Sequence, residues 1–324
     1  MNRWRVRLRR VALLGALGWA FGVAAETPTG TAAACPPQAQ APSPPQLQGA
    51  AANARDRGLL WRIARDGRTS YLYGSIHVGK LDWAFPGPQV RAALTATDTL
   101  ALEIDVGDPQ LAARLKPPAG IATPALALAL RERLARQADA ACLPKELLGA
   151  LHPVMQAVTL TVLAARWQGL DPGYAQEFVL SGMARAGQRR VVSLESPELQ
   201  MAALIPREPA DSERLVAQML EQLEKGSVQR VILRLATAWE RGDLAELSDY
   251  ERWCECVVSD EDRLQMQRLN DDRNPALADG IEALHRDGRS VFAVVGALHM
   301  TGARALPALM QQRGFTVQRV AFLR

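Results

Sequence analysis

The chain has four histidines, and two of them, His77 and His299, stand in the same local setting. Each closes an apolar run three residues after a glycine, as Gly74-Ser75-Ile76-His77 and Gly296-Ala297-Leu298-His299. Each run follows an RDGR turn, at 65–68 and at 286–289, and each histidine is soon followed by a glycine, Gly79 or Gly302. Imidazoles at strand ends are candidate ligands of a divalent metal, and glycine there lets a ligand approach the backbone. Glu103 within LALEIDV and Glu195 at the end of VVSLE occupy comparable places. A carboxylate in an apolar strand has to be paired, protonated or metal-bound, because an isolated buried charge is costly. Two histidines and two glutamates make a mixed nitrogen and oxygen site. Asp105 falls on the same strand face as Glu103 and is a possible third carboxylate. Arg273, next to Asn274, is suited to bind a carboxylate or to stabilise a developing oxyanion. The plainer alternatives are two unrelated strand-end histidines, a Glu103 paired to one of many arginines, and a solvated Arg273.

These residues need strands that end together. WRIARDGRTSYLYGSIHVG reads as two strands around an Asp66-Gly67 turn, and TLALEIDV (99–106), RRVVSLES (189–196) and SVFAVVGALH (290–299) read as further strands. FTVQRVAFLR is expected to close the chain as a last strand. Pro86 to Ala96, Leu147 to Ala165 and Tyr174 to Ala186 are expected helices, the second a buried core helix. From 197 to about 249 the pattern is almost wholly helical, with Leu215, Val216, Met219, Leu220 and Leu223 at helical spacing and no obvious chemistry. This insert is a lid or a packing arm. Ser259 is an N-cap for a polar helical stretch reaching His285. The fold class is therefore α/β: a mixed sheet core with pseudo-repeated strand–GxxH halves and a long helical insert.

Positive charge does not mark a nucleic-acid binder. The net charge of +4 comes from 38 basic and 34 acidic residues, but five arginines and no acid lie in the first 25 residues. Setting those five aside leaves 33 basic against 34 acidic residues. Met1–Ala25 has the parts of a secretory signal: the arginines, the apolar run Val11 to Ala25, and small residues at Val23 and Ala25. The run is short for a stable membrane span. The expectation is a periplasmic or secreted protein, with acylation at Cys35 a minor alternative. Residues 26–55, rich in Pro and Ala, read as a flexible or polyproline spacer, and the folded body as 56–324. Export permits disulfides among Cys35, Cys142, Cys254 and Cys256, and the expected bridge joins Cys142 to Cys254 or Cys256.

As a set, YLYGSIHVG (71–79), ALEIDV (101–106), VVSLESPELQM (191–201), DDRN (271–274) and VVGALHM (294–300) resemble the TraB/GumN family, which is related to the animal TIKI proteases. The resemblance implies an α/β fold similar to erythromycin esterase-like and ChaN-like proteins. It also implies a divalent-metal peptidase site built from His77, His299, an arginine at Arg273 and a glutamate, Glu195 or Glu103. On this reading the ion (manganese, cobalt or zinc) is held by the two histidines and one glutamate, such as Glu103. The other glutamate takes a proton from the attacking water, and Arg273 steadies the oxyanion. The substrate is a peptide or another small extracytoplasmic molecule. The second reading is a non-catalytic periplasmic protein that holds a metal, haem or small ligand in the same pocket.

Overall fold

The computed structural model describes residues 35–117 and 119–322; the expected signal segment lies outside them. Its centre is one six-stranded mixed sheet in the order β4-β3-β5-β2-β1-β6. The strands are β1 (Leu59–Arg65), β2 (Arg68–Ser75), β3 (Thr99–Leu102), β4 (Arg190–Ser193), β5 (Val291–Gly296) and β6 (Thr316–Arg319). β1 and β2 form the expected hairpin, with Asp66 at φ 50° and Gly67 at φ 72°. Two successive positive φ angles match the right-handed twist of the strands, which is why Asp-Gly suits the turn. β2, β5, β3 and β4 run parallel to one another, and β6 pairs antiparallel to β1. A parallel strand covered on both faces reads as an unbroken apolar run. β5 does so, with Val291 to Val295 all buried.

Two cores hold the molecule. Leu72, Leu100, Phe292, Leu277 and Ile281 belong to the core around the sheet. Leu134, Val154, Leu160, Met201, Val216 and Leu220 belong to a second, mostly helical one. Each fully buried aliphatic side chain contributes about 1.5–3 kcal/mol of transfer free energy. The expected helical insert supplies much of the second core through helices Pro197–Leu204, Pro209–Glu224 and Ser227–Glu240. Among the described residues no helix is long and apolar enough to cross a membrane.

Four expectations are corrected. The run 147–165 is not one helix: Lys145–Gly149 and Pro153–Leu163 are separate, with the His152 side chain accepting a hydrogen bond from the Val154 N–H. Proline has no N–H to continue a helix and disfavours helical geometry in the residue before it. The Pro/Ala-rich spacer contains a helix, Pro44–Ala52, opened by a capping box between Ser43 and Gln46. The cysteines pair Cys35–Cys142 and Cys254–Cys256, not Cys142 with Cys254 or Cys256. The chain beside Cys35 is also held against the body by the Ala39 N–H, which donates to Asp171 Oδ2 at 3.1 Å. Finally, the strands before the two glutamates stop early, at Leu102 and Ser193, so both acids sit just beyond strand ends.

Candidate functional site

β2 and β5 are adjacent and parallel, with Ser75 opposite Gly296, so both G-x-x-H segments leave the sheet at the same edge. β3 lies on the other side of β5 and delivers Glu103 to that edge. The Glu195 N–H donates to the Glu103 carbonyl at 3.0 Å, which sets the two glutamates side by side. Arg273 arrives from the turn between helices Asp260–Leu269 and Asn274–Arg286. His77, Glu103, Arg273 and His299 line one cavity of about 370 Å³, within the size range of ligand pockets. Its roof is apolar and includes Leu204, Ile232, Leu235 and Trp239, so the insert with no chemistry of its own covers the site.

Arg273 is no solvated arginine. Its side chain is 15% exposed, and Nη2 donates to Glu103 Oε2 at 2.5 Å while Nε donates to Glu195 Oε1 at 3.0 Å. Burial works against the guanidinium charge, but bonds to Glu195 and attraction to both acids outweigh it and raise its pKa. Glu103 also accepts from the Gly296 N–H at 2.6 Å and from Gln200 Nε2 at 3.1 Å. Burial alone would lift the Glu103 pKa; His299, Arg273, His77 and the Gly296 N–H together hold it down at about 2. Glu195 is not among the residues that line the cavity; it stands behind Arg273 and fixes it.

The two histidines are tied in the same way. His77 Nδ1 is 3.1 Å from Glu177 Oε1, and His299 Nδ1 is 2.7 Å from Asn274 Oδ1. Asn274 is fully buried and donates its Nδ2 to the carbonyls of His299 and Arg304. That fixes Oδ1 as the acceptor toward the ring, so His299 carries its proton on Nδ1 and presents a lone pair at Nε2. A methyl group on Gly296 would lie 3.4 Å from Glu103 Oε1 and 3.6 Å from both His77 Nε2 and His299 Cδ2. The two rings and the carboxylate therefore surround one point.

Their electrostatic settings differ. The Glu177 carboxylate outweighs desolvation and raises the His77 pKa to about 9, an effect tempered by solvent because 65% of the side chain is exposed. Burial lowers the His299 pKa to about 4. His299 is thus neutral near pH 7, and the charge that keeps Glu103 ionised there comes chiefly from Arg273.

The donor chemistry fits a divalent metal. Imidazoles anchored through one nitrogen to an oxygen, with the other nitrogen free, are the usual form of metal-binding histidine. Among the described residues no three His, Cys, Asp or Glu side chains stand already gathered as a metal cluster. Arg273 Nη1 lies 3.4 Å from His299 Nε2 and would have to turn aside.

Asp105 is not a third carboxylate of the site, because the chain turns after Leu102 and its oxygens pair with Arg185 Nη2 at 2.7 and 2.6 Å. His152 and His285 lie elsewhere, the second packed edge-on to Phe315. Sequence reasoning missed Glu177, which reaches His77 from the first turn of the helix Gln176–Ala186, and Gln200.

No curated protein and no solved structure matches the chain. The model of the TraB/PrgY/gumN family matches residues 59–319, from the first strand to the last, and spans every residue of this cavity. The chain is a member of the TraB/PrgY/gumN family.

Proposed function

We propose that this protein is an exported, metal-dependent hydrolase acting on peptide bonds. The observation that carries the reading is the convergence of His77, His299, Glu103 and Arg273 on one cavity, with both imidazoles anchored at Nδ1. His77 and His299 would hold the ion through Nε2. When bound there, a divalent ion acidifies a water toward neutrality and so makes a nucleophile available. Glu103, the carboxylate on the cavity wall, either completes the ligand set or takes the proton of the attacking water. Arg273 offers positive charge to a tetrahedral oxyanion, and Glu195 keeps it aimed. Export rests on the arginine-rich start and apolar run of Met1–Ala25.

One observation favours the non-catalytic alternative: Arg273 binds both carboxylates and leaves neither free as a base. The test is metal analysis of the mature protein together with digestion of an unbiased peptide library. A hydrolase loses turnover to a chelator and recovers it with manganese, cobalt or zinc. Metal-dependent stabilisation without cleavage of any peptide replaces this reading with the binding protein. Amino-terminal sequencing from an envelope fraction should find a chain beginning after Ala25; one beginning at Met1 removes export from the proposal.

A further inference from the structure

The two disulfides close loops of very different size. Cys35–Cys142 joins residues 107 positions apart, whereas Cys254–Cys256 spans one residue. A bridge across one residue removes little entropy from the unfolded chain, so global stability gives it little reason to exist. It also has a local cost. Glu255, between the cysteines, is held at φ 55°, a left-handed conformation that disfavours any side chain with a Cβ. The segment is fixed from outside as well, by Arg230 Nη2 on Glu255 Oε2 at 3.1 Å and by Gln222 Nε2 on the Glu255 carbonyl at 3.0 Å.

The two sulfurs differ in the way thiol exchange requires. Cys254 is 2% exposed, and its sulfur accepts the Cys256 N–H at 3.2 Å, a contact that favours a departing thiolate. Cys256 is partly exposed and is the more accessible residue of the pair. Its sulfur lies 3.9 Å from the Tyr250 hydroxyl. Tyr250 meets Trp253 edge-on at 5.0 Å and lines both the histidine cavity and its neighbour, a cavity of about 390 Å³ flanked by Asp249 and Asp271.

We propose that Cys254–Cys256 is a thiol–disulfide exchange site for an external dithiol, and that its opening loosens the cavity wall at Tyr250. A thiolate of the dithiol attacks Cys256 Sγ, the Sγ–Sγ bond breaks, and Cys254 leaves as a thiolate. The second thiolate of the reductant then attacks the mixed disulfide and releases Cys256. The dithiol is oxidised to its disulfide, and Cys254 and Cys256 are reduced to two thiols. Neither step involves the histidines, so the proposal stands apart from the hydrolase reading.

The test uses the mature protein equilibrated in dithiothreitol buffers of graded reduced-to-oxidised ratio, alkylated and mapped by mass spectrometry. Cys254 and Cys256 should be alkylated at ratios that leave Cys35–Cys142 intact and the far-ultraviolet dichroism unchanged. Joint opening of both bridges, or earlier opening of Cys35–Cys142, overturns the proposal. Glu255→Gly relieves the left-handed cost in the oxidised form and should demand a ratio higher by about fivefold; an unchanged midpoint overturns the strain argument. Trp253 emission, isolated by comparison with Trp253→Phe, should change with the same midpoint, and a constant emission would show that Tyr250 does not respond.

Discussion

His77 and His299 leave neighbouring parallel strands at one sheet edge, yet their surroundings are opposite. His299 is buried, neutral and locked by Asn274; His77 is exposed, paired with a carboxylate and inclined to be cationic. A pair of titrating groups driven apart in pKa is the usual signature of divided roles in a site. The difference arises above the level of the motif, since both share Gly-x-x-His. It comes from what each ring meets: a carboxylate on the helix Gln176–Ala186 in one case and a carboxamide at the start of Asn274–Arg286 in the other.

The sharpest way to break the comparison is to remove each ring. His77→Ala and His299→Ala should each abolish metal retention and hydrolysis, whereas His152→Ala and His285→Ala should leave turnover per folded molecule intact. Of the first two, His299→Ala should destabilise more, by about 1–3 kcal/mol, because it leaves Asn274 Oδ1 buried without a partner, whereas Glu177 keeps the Ser75 hydroxyl when the exposed His77 ring is removed. Metal analysis and urea unfolding of the set check this, and equal stability losses at both positions would dissolve the contrast.

Arg273 is the charge both histidines share. Arg273→Ala leaves Glu103 and Glu195 buried without their cation, so unfolding should become easier by about 3–5 kcal/mol. A loss within the error of the denaturant midpoint would mean that the carboxylates find other partners.

A smaller effect appears in the pH dependence of stability. His77 has a folded pKa of about 9, above its ordinary 6.5. Its stabilisation is complete below pH 6.5 and fades as pH rises through 9. His299, lowered to about 4 from 6.5, does the reverse, since the unfolded chain takes up the proton first and stability falls between pH 6.5 and 4. Glu103, lowered to about 2 from 4.5, extends that acid loss from pH 4.5 downward. His77→Asn should flatten the alkaline limb and, because His77 also helps to hold the Glu103 pKa down, soften the Glu103 part of the acid limb, which unfolding at a series of pH values would reveal.

The smallest change is Glu177→Gln. It removes the carboxylate charge beside His77 and should draw the ring's pKa back toward 6.5, shifting the alkaline limb to lower pH with little loss of fold. Histidine resonances followed by NMR through the titration test it; an unmoved His77 would place the source of the shift elsewhere.

The parts of the site legible in the sequence were those with a local signature. Gly-x-x-His after an apolar run marks a strand end, and Glu103 and Glu195 stand out because a charge in an apolar run needs a reason. Glu177 had no such mark, because its contact with His77 spans 100 positions and exists only after β2 and the helix Gln176–Ala186 have met. Asp105 obeyed strand alternation on paper, but the strand had already ended at Leu102. The disulfide pairing depends on where the segment after Cys35 lies, which composition does not encode. The helix at Pro44–Ala52 did leave a trace, Ser43 followed three residues later by Gln46, which the surrounding prolines concealed.

Gly296 has an unremarked backbone, φ −51° and ψ 141°, that any residue could adopt. A methyl group there would make only ordinary contacts, the nearest at 3.4 Å. Neither folding nor sterics therefore demands glycine at this point; its role is to leave room where two imidazoles and a carboxylate face one another. An alanine would keep the sheet, the ion pairs and both histidines, and place a hydrocarbon plug at their common focus. On the proposed reading, the chain is one methyl group away from a replica of itself that folds and holds no ion.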